Sequence, residues 1–214
     1  EKWFGDIASG EEIVRNLPVE PKQTEARREI AEADVPVDSI YIAFHGPDRL
    51  SKEYQTMDLL SDILSRGSSS RLYRALVKNE PIFSEINAYL MGSIDPNLFV
   101  VEGKPSNGVS LEKAEAAIWE QLERIKAEFV EEEELQKVKN KIESTLLFSE
   151  LSILDKAMNL AYYEALSSAE DYNKEVAKYD EVDAKQIKEV ANMLFVKENS
   201  STLLYKSNGG SNVE

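Results

Sequence analysis

His45 is the only histidine among the 214 residues, and the chain has no cysteine. A catalytic zinc site takes three protein ligands, most often histidines, so one histidine with scattered carboxylates does not predict such a site. His45 is either a ligand or base at a strand end or a histidine that hydrogen-bonds to a nearby backbone carbonyl. Ser-His-Asp catalysis needs only one histidine, but no G-x-S-x-G motif surrounds any serine. We therefore predict no catalytic residue and no metal ligand in this chain.

Two further segments have side chains that could bind ions. The run Glu131–Glu134 could bind a hard cation, but it lacks the alternation and turn glycine of a calcium loop, and it equally fits a solvated helix N-terminus. The segment Gly67–Arg71 opens a helix, where backbone N–H groups could hold an anion. It lacks the second glycine and the lysine of a phosphate-binding loop, so a turn between two helices is the alternative interpretation.

Composition excludes several classes of partner. The formal net charge is -15, which repels phosphate backbones and anionic membrane surfaces, so we expect neither nucleic acid nor a membrane as a partner. No apolar run is long enough to cross a bilayer. Without cysteine, disulfides and thiolate chemistry are excluded. Because the sequence begins at Glu1 rather than Met, we expect that a segment upstream has been removed.

Hydrophobic periodicity predicts the order β β α α β β α α α α β. Ser39–His45 alternates like a half-buried strand, and Phe83–Met91 with Leu98–Gly103 reads as an antiparallel hairpin. The absence of β-α alternation predicts an α+β two-layer sandwich, with a mostly antiparallel sheet and helices on one face. A long helix starting at Glu131 can continue to Leu166. Its second half is apolar nearly all round, so we expect these residues to be buried: Leu147, Phe148, Leu151, Ile153 and Leu154.

The chain divides into three parts. Residues 1–24 read as the end of a preceding domain and an extended linker, because prolines disfavour a helix there. Residues 25–207 form one α+β domain. Residues 208–214, rich in Gly, Ser and Asn, are predicted to be a flexible tail.

Several segments, in this order and spacing, resemble the pitrilysin/insulinase family of zinc metallopeptidases, which includes the mitochondrial processing peptidases. Gly67–Tyr73 is similar to the family's glycine/serine turn followed by Ser-Arg-Leu and an aromatic residue. Glu131–Lys141 is similar to its E-E-E-L helix start. The remaining matches are Glu1–Ile7, the linker Leu17–Pro21 and the helix at Asp180–Leu194.

The resemblance implies that this chain is the linker and second, zinc-free domain of such a subunit, with a topology related to the ferredoxin-like fold. The zinc motif H-x-x-E-H of the first domain is absent here, so zinc is expected in the full-length parent or its partner. The partner is then either the zinc-binding domain of the same chain or a homologous catalytic subunit, and the substrate is a peptide. The family's substrate-binding Arg and Tyr fall on Val77 and Ser84, neither of which reproduces their hydrogen bonds.

Substrate-binding candidates are therefore Ser84 itself and three residues that could substitute: Arg74, Lys78 and Tyr89. Three functions follow. The chain forms half of a peptide-enclosing chamber, or it is an inactive interaction module that holds a catalytic subunit, or, with least support, it is a hydrolase centred on His45. The compartments that the resemblance suggests are the bacterial envelope, the bacterial cytoplasm and the mitochondrion, and the sequence does not choose among them.

Overall fold

The computed structural model describes residues 20–208, together with residues 2, 3, 5–8, 10, 11, 14 and 18. Five strands and six α-helices make up most of this part of the chain. The strands are β1 (Arg27–Ala33), β2 (Ser39–Gly46), β3 (Phe83–Leu90), β4 (Asn97–Pro105) and β5 (Ser200–Ser207). The helices are α1 (Tyr54–Ser65), α2 (Leu111–Ala127), α3 (Glu132–Ser149), α4 (Ile153–Leu166), α5 (Glu175–Asp180) and α6 (Ala184–Leu194).

Shorter helical pieces complete the element order. A π-helical segment, Tyr73–Asn79, follows α1, and two 3-10 helices cover Ala169–Lys174 and Lys197–Asn199. Tyr73–Asn79 corresponds to the second short helix of the sequence prediction. None of the described helices is both long and apolar enough to cross a membrane.

The five strands form one mixed sheet in the order β1-β5-β2-β4-β3. The outer pair β1–β5 is parallel, and the other three neighbouring pairs are antiparallel. Helices cover one face of this sheet, so the predicted α+β architecture is confirmed. β1 and β3 are the two edge strands, and the predicted hairpin is β3–β4.

Alternation along β2 decides which side chains enter the core. Ile40, Ile42 and Phe44 are fully buried under the helices, whereas Tyr41 is exposed on the opposite face. We call this opposite side the open face of the sheet. Phe195 packs edge-on against both Phe44 and Phe99, with ring centroids 5.1 and 5.2 Å away. Aromatic contacts of this kind join the end of α6 to two central strands.

Local signals explain where the covering helices begin. The Ser110 side chain accepts a hydrogen bond from the Lys113 backbone N–H at the start of α2. An Asp followed three residues later by a Gln predicts a capping box, and Asp183 and Gln186 form one at the start of α6, where each side chain bonds to the other's backbone N–H. Such caps satisfy backbone donors that a helix start otherwise leaves unpaired.

The prediction for the segment after α3 is wrong in two respects. The helix ends at Ser149, and α4 starts anew behind Ser152, whose side chain accepts a hydrogen bond from the Asp155 backbone N–H. The apolar residues around this break are exposed rather than buried, with Phe148 at 70% and Ile153 at 88%. Apolar side chains all round a helix need a surface on each side, and the described part of the chain supplies one only on the side of Tyr163 and Tyr172.

The described parts of the predicted linker lie against the sheet only locally. The Gln23 side chain donates to the Ser200 carbonyl at 2.8 Å and accepts from the Ser201 hydroxyl at 3.2 Å. Trp3 and Ile7 are apolar residues without a local element to pack on, which predicts that they dock on a core, either of this domain or of sequence outside this chain; here they are 78% and 71% exposed. The predicted tail lies outside the described residues except for Asn208. The boundaries at residues 24 and 207 remain predictions.

Candidate functional site

His45 does not stand in a catalytic or metal-binding arrangement. Its ring lies on the open face at the end of β2, and its Nδ1 is 3.8 Å from a carboxylate oxygen of Glu20. Its backbone carbonyl accepts a hydrogen bond from the Asn199 side chain. Among the described residues, no group of three or more His, Cys, Asp or Glu side chains could hold a metal ion. The residues present therefore do not fit a catalytic zinc.

The two candidate ion-binding segments contact each other. Gly67 adopts a positive φ of 91° in the turn after α1, a conformation that favours glycine. The Arg71 guanidinium that follows forms a forked pair with the Glu134 carboxylate, with the shortest N–O distance at 2.8 Å. The turn is thereby tied to the first turn of α3. In the acidic run Glu131–Glu134, this contact neutralises the charge of Glu134.

The four substrate-binding candidates lie at different places. Arg74 is exposed and lines a cleft of about 590 Å³ between the π-helical segment and the α2–α3 connection. Lys78 is exposed at the end of the same segment. Ser84, on β3, donates its hydroxyl to the Lys104 carbonyl at 3.1 Å. The structure therefore does not bring these three side chains into one cluster.

Tyr89 lies in a second cleft, which we call the edge groove. The edge groove has a volume of about 600 Å³ and runs between α1 and β3 onto the open face. The Tyr89 hydroxyl donates to the Glu102 carboxylate at 3.1 Å, and the ring is 38% exposed. The wall that α1 contributes includes two acidic side chains, Asp58 and Asp62.

The backbone of β3 also faces the edge groove. The Met91 N–H donates to the Leu98 carbonyl, so by antiparallel alternation residues 85, 87 and 89 bond to β4 while residues 86, 88 and 90 direct their backbone groups outward. One of these outward groups, the Ala88 carbonyl, accepts the Ser65 hydroxyl at 2.8 Å. An edge of this kind can pair with an extended peptide.

Electrostatics in the edge groove are governed by partial burial. Burial raises the pKa of Asp58, although a hydrogen bond from the Tyr179 hydroxyl at 2.6 Å opposes the rise. Burial also raises the pKa of Asp62, against the effect of its ion pair with Arg66. Both carboxyl groups are thus already engaged within the domain, and they give the groove wall an acidic character.

Sequence reasoning missed a buried polar cluster at the base of α4. The Arg49 guanidinium donates to the Glu175 carboxylate at 2.7 Å and to the Tyr163 hydroxyl at 2.8 Å, and it stacks on the Tyr54 ring at 4.1 Å. Gln55 donates to the same Glu175 oxygen at 3.0 Å. No local motif marks these residues, since Arg49 and Glu175 are far apart along the chain.

The charges of this cluster are balanced internally. Burial alone would raise the pKa of Glu175, but the Gln55 hydrogen bond and the Arg49 ion pair outweigh it and hold that pKa below its usual range. A cavity of about 340 Å³ adjoins the cluster. Because Glu175 neutralises Arg49, the guanidinium is not available to bind an anionic ligand there, and we assign the cluster a structural role.

The chain is similar in fold to several solved structures. A protease from Helicobacter pylori superposes with a TM-score of 0.86 at 23% identity, over 92% of this chain and 48% of that chain. The peptidase M16 inactive domain from Pseudomonas fluorescens gives 0.72 at 18% identity, over 92% and 46%. A chain of complex III2 from Candida albicans gives 0.67 at 15% identity, over 83% and 45%.

These structural relatives are about twice as long as the region that matches, so the chain spans about half of each of them. No curated protein sequence shows a significant match to it. The family model described as the peptidase M16 inactive domain matches residues 1–142, well over half of the sequence. The chain therefore belongs to the family of M16 peptidase inactive domains, the zinc-free C-terminal domains of pitrilysin-type metallopeptidases.

Proposed function

We propose that this chain forms half of a peptide-enclosing chamber and assists proteolysis carried out by a zinc-binding M16 half. That half is either another part of the same protein or a separate subunit. Membership of the inactive-domain family supports a non-catalytic role beside a catalytic domain. Zinc activates water for attack on a peptide carbonyl, and in this proposal its ligands all belong to the other half.

The observation that carries the proposal is the edge groove. It combines outward-directed backbone groups on β3 with the half-exposed Tyr89 ring on the open face. A peptide that adds to β3 as a further strand gains backbone hydrogen bonds, and its alternate side chains reach the open face. Ser84 lies on β3 itself, whereas Arg74 and Lys78 lie on the π-helical segment before it. We retain these three residues with Tyr89 as the proposed substrate contacts.

The first experiment separates assistance from catalysis. The 214-residue chain alone, purified without chelators, is expected to hold no stoichiometric zinc and to leave a fluorogenic peptide intact. Adding the zinc-binding half is expected to start hydrolysis. Peptide cleavage by the chain alone would refute the proposal, as would full activity of the zinc-binding half without the chain.

The second experiment locates the peptide. Tyr89→Ala is expected to raise KM about tenfold with little change in kcat, because it removes a contact made equally in ground state and transition state. Tyr205→Ala is the matched control, since Tyr205 lies on the same face but on β5, with two strands between it and the edge. An equal KM effect from both variants would show that the peptide does not bind at the β3 edge.

A second candidate is an inactive module that holds a catalytic subunit in place. Two observations favour it. Val77 is partly buried against the core and Ser84 is bonded to a backbone carbonyl, so neither provides the family's Arg or Tyr contact. A chain of complex III2 also shares the fold. A zinc-to-protein ratio of about one for the full-length protein would favour the chamber. If the ratio is near zero, a catalytic subunit whose KM is unchanged by Tyr89→Ala would favour this module.

A further inference from the structure

An exposed apolar surface lies where α3 ends and α4 begins. It comprises six large side chains between residues 147 and 158, each between 55% and 88% exposed: Leu147, Phe148, Leu151, Ile153, Leu154 and Met158. We call this surface the arm patch. Single exposed apolar residues are ordinary on proteins, but contiguous exposed patches mark interaction sites.

The arm patch differs from the rest of the chain in apolar content rather than in charge. Of the 12 residues from 147 to 158, 7 are hydrophobic, about 58% against 42% for the whole chain, and 3 are charged (Glu150, Asp155 and Lys156), 25% against 30%. Enrichment in apolar and aromatic side chains is a feature of the core of a protein–protein interface. The patch therefore has the composition of a docking surface rather than of a solvated helix pair.

Hydrogen bonds hold the segment that carries the arm patch, even though the patch itself is exposed. Tyr172 anchors it from beneath: its hydroxyl accepts from the Asn159 side chain at 3.2 Å and lies 3.4 Å from the Ser149 hydroxyl. At the far end of α4, Tyr163 accepts a hydrogen bond from Arg49. Because these contacts already hold α4, a partner that covers the arm patch does not have to order it first.

Two observations identify the occupant. Three of the structural relatives described above extend beyond the matched region by about as much again, since the chain covers 45–48% of each of them. A second copy of this chain is disfavoured, because each copy carries a net charge of -15 and the pair would carry twice that. The partner that remains is the half of an M16 subunit that this chain lacks.

We propose that the arm patch is the surface on which the zinc-binding half docks. This inference rests on the proposed function, in which such a half supplies the chemistry. Leu151 and Leu154, at the break between α3 and α4, lie at its centre in the sequence. Docking would bury them as an apolar core, and the charged residues of the arm would form the rim.

The test measures association rather than activity. The 214-residue chain and the zinc-binding half, whether that half is part of the same protein or a separate subunit, are mixed as separate polypeptides, and their dissociation constant is measured by analytical ultracentrifugation. Leu151→Glu and Leu154→Glu are each expected to weaken association at least about tenfold, as charges placed in a desolvated interface do. Both side chains are exposed in the free chain, so the urea unfolding midpoint is expected to stay unchanged.

Met91→Glu is the matched control, because Met91 is 51% exposed and lies next to the β3–β4 turn. It adds the same charge and is expected to change the dissociation constant less than about twofold.

Wild-type association that survives both arm substitutions would overturn this inference while leaving the proposed function intact. No association of the wild-type chain would refute the proposed function itself. Concentration-dependent self-association of the free chain, abolished by Leu151→Glu, would overturn the inference in favour of a second copy.

Discussion

Phe44 and Phe148 show how differently two apolar regions of this molecule are used. Phe44 is fully buried on β2, with the rings of Trp119 and Phe195 at 5.7 and 5.1 Å. Phe148 is 70% exposed at the end of α3. Both regions look equally apolar in the sequence. The difference is that helices of the same domain pack on β2, whereas the residues around Phe148 contact the rest of the domain on one side only.

Hydrophobic patterning fixes which face of an element is apolar but not what covers that face. Around Phe44 the covering elements come from the same domain. At the arm patch the covering element, on our proposal, comes from the zinc-binding half. The same residue type thus contributes to folding in one region and to association in the other.

Replacing the two phenylalanines tests the comparison directly and has the largest expected effect. Phe44→Ala should lower the free energy of unfolding by about 3–5 kcal/mol, because it removes a buried ring and leaves a cavity. Phe148→Ala should change it by less than about 0.5 kcal/mol. Urea unfolding of both variants measures this. Similar losses from the two would mean that the arm is packed in the free domain.

The buried cluster at the base of α4 should respond next most strongly. Glu175→Gln leaves the largely buried Arg49 guanidinium without its counter-ion, which should cost about 3 kcal/mol of unfolding free energy. Hydrogen exchange should show α4 opening more often, since Tyr163 bonds to the same guanidinium. Lys174→Gln, which removes an exposed pair with Asp171, is the control and should cost little. Unchanged α4 protection in Glu175→Gln would contradict the anchoring role.

Gly103 tests the packing of the hairpin β3–β4, with a smaller expected effect. A Cβ at Gly103 would approach the Phe83 ring to 2.6 Å. Gly103→Ala should therefore cost about 1–3 kcal/mol by overpacking. Gly92→Ala meets no atom within 4 Å and serves as the control. Equal thermal unfolding midpoints for the two variants would contradict the close approach of Gly103 to the Phe83 ring.

Acid should reduce the effect of Glu175→Gln. The pKa of Glu175 is lowered from 4.5 in the fold, so the contribution of its carboxylate is fully present above about pH 4.5 and is lost as the pH falls through the folded value. The difference in unfolding free energy between wild type and Glu175→Gln should therefore shrink between pH 6 and pH 3. A difference that is constant or grows in acid would show that this pKa is not lowered.

Sequence patterns predicted the α+β class, the hairpin β3–β4 and the capping box before α6, because each depends on local periodicity or on residues a few positions apart. The proposed substrate contacts illustrate the opposite case. Arg74 and Tyr89 are close in sequence, yet they line different clefts, because the π-helical segment and β3 direct them apart. Spacing along the chain could not reveal this.

The elements, the absence of a zinc motif and the apolar run at residues 147–158 can be read from the sequence. The exposure of this run, the edge position of β3 and the pairing of Arg49 with Glu175 follow from the tertiary arrangement. The physical reason is that propensity, capping and amphipathic periodicity are local properties of the chain. Burial and ion pairing depend on which distant surfaces meet, and a local pattern carries no information about a surface that lies on another domain.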